Sequence, residues 1–243
     1  SLHAVGKDEN GESFNLNAVL ADGGEIYINC ADGNTVIDGV TLANEAALTM
    51  ENGYIAYELI VGSNCRVKLM SGSVFKLVRE ENAPNYLDIV PEGRAIQVSD
   101  LNAFDALLDG SYSSPFTVVS ADGILTKEPQ DMKVNPLSTF TLSVAASDDA
   151  TYQWFDENGM LEGENGDTLT VSSVEKGNHS YYCAAYVKTS DSQYFVKSRT
   201  ARVKAACLHD TLDENNVCAN CGERVVAKLI DGNQTENCTN IYD

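Results

Sequence analysis

A degenerate phrase recurs through the first 120 or so residues: an apolar pair, a short polar step, a glycine, then an apolar or aromatic residue. It reads Val36-Ile37-Asp38-Gly39-Val40, Leu48-Thr49-Met50-Glu51-Asn52-Gly53-Tyr54-Ile55, Val67-Lys68-Leu69-Met70-Ser71-Gly72-Ser73-Val74-Phe75 and Leu107-Leu108-Asp109-Gly110-Ser111-Tyr112. The glycines at 39, 53, 72 and 110 stand 14, 19 and 38 residues apart, the last interval being twice the one before it. Short strands and Gly/Asn turns repeating about every 20 residues are what stacked β-coils require, because each coil buries its apolar alternation on the next. Ile26, Ile28 and Cys30, alternating with Tyr27 and Asn29, read as one more half-buried strand. The spacing predicts a short β-solenoid-like domain over residues 1–121; a β-meander or small sandwich with glycine turns is the competing arrangement. Helical signal is weak. Only Leu101 to Leu108, opened by Ser99-Asp100 as a candidate N-cap, carries it.

The polar cluster Ser120-Ala121-Asp122-Gly123 marks a change of pattern. Phe140, Leu142 and Val144 alternate, and Tyr152-Gln153-Trp154-Phe155 is followed by the turn Asp156-Glu157-Asn158-Gly159. Leu169-x-Val171 and Tyr181-x-Cys183 then succeed one another. Residues 122–205 therefore resemble a bacterial immunoglobulin-like domain, with Trp154 on strand C and Tyr181 two residues before Cys183 on strand F. The resemblance implies a two-sheet sandwich. It departs from the family in one respect: the strand B cysteine is missing, and Leu142 or Val144 stands in its place. Cys183 is accordingly expected to be a small buried hydrophobe against Trp154 rather than half of an intersheet bridge.

Seven cysteines are spread as Cys30, Cys65, Cys183, Cys207, Cys218, Cys221 and Cys238. Three of them gather with a histidine in Cys207-Leu208-His209 and Cys218-Ala219-Asn220-Cys221-Gly222. A Cys-x-x-Cys-Gly turn points two sulfurs at one ion, and a second pair completes a tetrahedron, so Cys207, His209, Cys218 and Cys221 read as a structural zinc site. A disulfide such as Cys207–Cys221 with a leftover thiol is the alternative. The segment also resembles a knuckle found between modules of surface proteins of Gram-positive gut bacteria, with Asn216 where that motif has glycine, a change a left-handed turn tolerates. That resemblance implies an extracellular, cell-surface location and a modular context for residues 206–243, read as a zinc-knuckle segment followed, from Val225 to Asp243, by the start of a further module. Cys30 and Cys65 lie on candidate strands, as buried thiols or a disulfide; Cys238 has no assignable partner.

Composition narrows the function. Sixteen basic against 36 acidic residues give a net charge of −20, which repels nucleic acid and anionic membrane surfaces. No apolar stretch approaches the roughly 20 residues needed to cross a bilayer. The chain has three histidines, no Gly-x-Ser-x-Gly elbow and no phosphate-binding glycine loop, so nucleophilic and phosphoryl chemistry lack their parts. The phrases Asp8-Glu9-Asn10-Gly11, Asp156 to Gly159 and Asp213-Glu214-Asn215-Asn216 lack the distal glutamate of a calcium loop and read as turns. Tyr54, Tyr57, Tyr86 and Tyr112 are candidates for a sugar-stacking platform; the same aromatics also serve as core. The expectation is an all-β, noncatalytic structural or adhesive segment of a secreted bacterial surface protein, carrying structural zinc, with a glycan or a host surface protein as partner. A carbohydrate-binding module using the tyrosines of residues 1–121 is the first alternative, and an accessory part of a glycoside hydrolase the second.

Overall fold

The computed structural model describes residues 2–4, 17–30, 36–219 and 221–225. It is almost wholly β, and its first part winds about three solenoid turns. Each coil contributes one strand to each of two parallel sheets. The first sheet stacks Leu2–Ala4, Glu25–Asn29, Ala47–Asn52 and Arg66–Leu69; the second begins with Asn17–Leu20, Val36–Leu42, Tyr54–Val61 and Gly72–Val74. Alternation sends every second side chain inward, and register then stacks like on like. Ile26 lies under Leu48 and Leu48 under Val67. On the facing sheet, Val40, Leu59 and Leu77 form the matching column. All six are buried.

The coil corners explain residues that the glycine phrase did not. Asp22, Asn44, Asn64 and Asn82 hold φ between 49° and 61° at successive corners, a left-handed geometry that Asn and Asp accept at little cost. A small buried residue follows at three of them: Ala46, Cys65 and Ala83. Cys65 thus fills the slot that alanine fills in neighbouring coils. Cys30 lies at the other corner, so both thiols are packing residues, as one of the two readings had it. Gly53 and Gly72 do stack one coil apart, with Ser73 N donating to Gly53 O at 2.9 Å. Gly39 instead sits mid-strand opposite Glu58, and Gly110 closes a helix, so the glycine phrase mixes three unrelated positions.

Two short helices, Tyr86–Ile89 and Phe104–Asp109, cover the far end of the coil stack. The second overlaps the Leu101 to Leu108 span that carried the helical signal, starting later and ending one residue beyond it, with Ala103 rather than Ser99 or Asp100 at its N-cap. Arg79 binds this end together: its guanidinium donates to the carbonyls of Ala83, Pro84 and Gly110.

The second sheet runs on past the last coil. It continues antiparallel through Phe116–Ser120 and Arg94–Val98, then onto Gln193–Lys197 and Gly177–Lys188 of the sandwich. Thirteen strands share this sheet. The core follows it, because Phe155, Ala184, Tyr186 and Phe195 belong to the cluster that fills the coils, and Phe104 packs its ring on Tyr186 and Phe195. Beyond the junction stands a two-sheet β-sandwich. Phe140–Ser143 and Thr168–Val171 pair on one side; Asp149–Asp156, Gly177–Lys188 and Ala201–Ala205 form the other, with Met132–Val134 added in parallel. Trp154 lies directly across from Cys183, both wholly buried, and the indole Nε1 donates to Gly166 O at 2.9 Å. Leu142 and Val144, the two residues read in place of a strand B cysteine, both occupy this core. Burial pushes the Cys183 thiol up to about 12.

Candidate metal centre

The last sandwich strand, Ala201–Ala205, runs directly into the cysteine cluster. Its exit is fixed by Ala206 N donating to Val134 O at 3.0 Å. Asn135 then clamps the next turn, its Oδ1 accepting from Leu208 N at 2.9 Å and its Nδ2 donating to Asp210 Oδ2 at 3.1 Å. Downstream, Asp213 Oδ1 accepts from the backbone of Asn215 and Val217, which closes a tight turn. Asn216 takes φ 60°, the left-handed geometry expected where the knuckle motif has glycine. Gly222, at φ 73°, turns the chain after Cys221, and its N donates to Cys218 O at 2.8 Å. These turns are local and short. They leave the segment too little apolar surface to hold itself folded.

What the turns do is converge four ligand atoms. Cys207, His209, Cys218 and Cys221 have their ligand atoms all within 4.8 Å of one another. Cys207 Sγ lies 3.4 Å from Cys218 Sγ, and Cys221 Sγ lies 3.8 Å from His209 Nδ1. A tetrahedral zinc with sulfur at about 2.3 Å and nitrogen at about 2.0 Å has edges of about 3.8 and about 3.5 Å, so the donor set and its dimensions fit such an ion. The His209 side chain is 4% exposed, and its other nitrogen, Nε2, is approached by the Glu223 carboxylate at 3.9 Å. That is where an outer carboxylate orients a metal-bound imidazole. Without metal, burial raises the Cys207 thiol to about 11, so binding an ion must displace a proton there. All four residues singled out by spacing are therefore brought together.

The four tyrosines are not. Tyr86 is wholly buried, donates its hydroxyl to Tyr112 O at 2.6 Å, and meets Phe116 edge-on. Tyr112 is buried beside it. Neither offers a face to a sugar, because both sit in the core under the helical end of the coils. Tyr54 and Tyr57 remain outside, 39% and 66% exposed. The turn readings hold at Asp156–Gly159, where Asp156 Oδ1 accepts from Asn158 N and Gly159 N, and at Asp213–Asn216; Asp8–Gly11 and Cys238 lie outside the described residues.

His179 has both ring nitrogens engaged, Nε2 with Glu175 O at 2.9 Å and Nδ1 with Glu157 Oε1 at 3.1 Å. The Glu175 carbonyl raises its pKa above the ordinary histidine value, burial draws it back, and Glu157 adds to the rise. Its neighbours make it a staple at the base of the long strand. Among the described residues no helix is long and apolar enough to cross a membrane. No protein-family model matches the chain, and a search of curated proteins finds no significant relative.

Proposed function

We propose that this chain is a noncatalytic structural segment of a secreted bacterial cell-surface protein, spacing or displaying other modules, and that Cys207, His209, Cys218 and Cys221 hold a structural zinc ion. The observation that carries the reading is the convergence of four protein ligands at the end of a sheet that already joins coil and sandwich. Four protein donors complete a tetrahedron, leaving no position at which a water would be activated. Such an ion adds folding free energy to a segment that lacks a core. The surface location draws on the knuckle's resemblance to linkers of Gram-positive surface proteins.

Metal analysis of protein purified without added zinc tests the first part. About one zinc per chain is expected, lost in Cys218→Ser and in His209→Ala. Metal-free protein with a disulfide joining any two of Cys207, Cys218 and Cys221 would overturn it. Protease shaving of intact source cells tests location: release of fragments of this segment is expected, and its retention inside shaved cells would refute a surface role.

A further inference from the structure

One row of outward side chains crosses the junction between coil and sandwich. Tyr54 stands beside Ser73, Ser73 beside Thr117, Thr117 beside Gln97, and Gln97 beside Tyr194, each pair in direct cross-strand register. At about 4.8 Å per strand, the stretch from Tyr54 to Gln97 spans about 14 Å. It lines an open groove of about 420 Å³, to which Ser99 and Ser192 also contribute. No charged residue lines this groove. On a protein of net charge −20, an uncharged concavity is a local exception.

The polar groups are held in place. Ser73 Oγ and Thr117 Oγ1 are 2.8 Å apart, and Gln97 Nε2 donates to Ser192 Oγ at 2.7 Å. An amide has two N–H donors and one carbonyl acceptor, so Gln97 keeps one donor and its Oε1 for a ligand, and the paired hydroxyls keep acceptor capacity. Tyr54, 39% exposed, stands at the end of the row.

We infer that this groove binds a short neutral oligosaccharide. A sugar presents an apolar ring face and a rim of hydroxyls, which matches a tyrosine beside fixed amide and hydroxyl groups. A charged ligand finds no counter-ion in the lining, and an anionic one meets the repulsion of the whole chain. The site uses one of the tyrosines that sequence spacing singled out, and its remaining groups come from strands of the coil side together with Ser192, which the sandwich contributes just ahead of Gln193–Lys197. It stands independently of the metal centre.

The test is an array of neutral hexose and N-acetylhexosamine oligosaccharides, with uronic-acid and sialylated glycans as charged counterparts, probed with the intact chain. Titration calorimetry follows on the best neutral ligand. Saturable binding to a neutral glycan is expected, weakened about tenfold or more by Tyr54→Ala and by Gln97→Ala, and unchanged by Tyr57→Ala, which lies outside the lining. Thermal melts that match the parent establish that the variants are folded, and Gln97→Glu supplies a variant of conserved size. Failure of the folded parent to bind any neutral glycan would overturn the inference. So would binding confined to charged glycans, or binding that survives both groove substitutions.

Discussion

The coil stack and the sandwich solve the same problem, burying apolar alternation, in opposite ways. In the solenoid the columns are built from residues one coil apart, as Ile26, Leu48 and Val67 are, so no single side chain dominates. The sandwich hangs on one irreplaceable group: Trp154, wholly buried between its two sheets and tied to Gly166. Distributed and centralised cores should therefore break differently, although here they are welded by the Arg94–Val98 to Gln193–Lys197 pairing.

Trp154→Ala should have the largest effect, about 3–5 kcal/mol from lost burial and the remaining cavity. Because sheet and core are shared, denaturant unfolding followed by both far-UV circular dichroism and fluorescence should still show one transition. Two separated transitions would mean that coil and sandwich unfold independently. Gly72→Ala strikes the solenoid at its least tolerant point. Gly72 has φ 104°, and a Cβ there would fall 2.1 Å from Gly53 O in the coil below. Destabilisation of about 3 kcal/mol is expected from equilibrium unfolding.

Asn64→Ala should cost about 1 kcal/mol, since alanine resists the left-handed corner, while Asn64→Gly should be nearly neutral by the same measurement. A large loss in both would show that the amide itself, rather than backbone strain, holds the corner. Smallest is the pH effect of Glu157→Gln. The raised folded pKa of His179 gives stability that is fully present below the unfolded value of about 6.5 and lost as pH rises through the folded one. Removing the Glu157 carboxylate should lower the folded pKa in a two-dimensional NMR titration and shrink that pH dependence. An unchanged His179 titration would leave Glu175, through its carbonyl and its charge, as the cause.

The two halves also differed in how far they could be read from sequence. The sandwich was legible because its signals are single large residues at fixed spacings: Trp154, then Leu169 and Val171, then Tyr181 and Cys183. The metal cluster was legible for the same reason, since ligand chemistry admits few residue types. The solenoid was legible only in class. Its true periodic marks are the left-handed Asp22, Asn44, Asn64 and Asn82 with the small residue that follows, whereas glycine recurs for mixed reasons. Tyr86 and Tyr112 follow the same aromatic pattern as surface residues, and only the packing of the helical end decides that they are core. The shared sheet left no local trace at all, because Arg94–Val98 finds a partner about a hundred residues away.

That pairing has a mechanical consequence. Coil and sandwich are not beads on a string: four registered residue pairs, Ala95 to Val98 against Gln193 to Val196, fasten them along their length. To change the angle between them, a pull must shear or peel this ladder and open the aromatic contacts of Phe104 on Tyr186 and Phe195. A load applied at either part is then carried as through a stiff strut, so the Cys/His cluster at the exit of Ala201–Ala205 is held in direction as well as in distance from the coils.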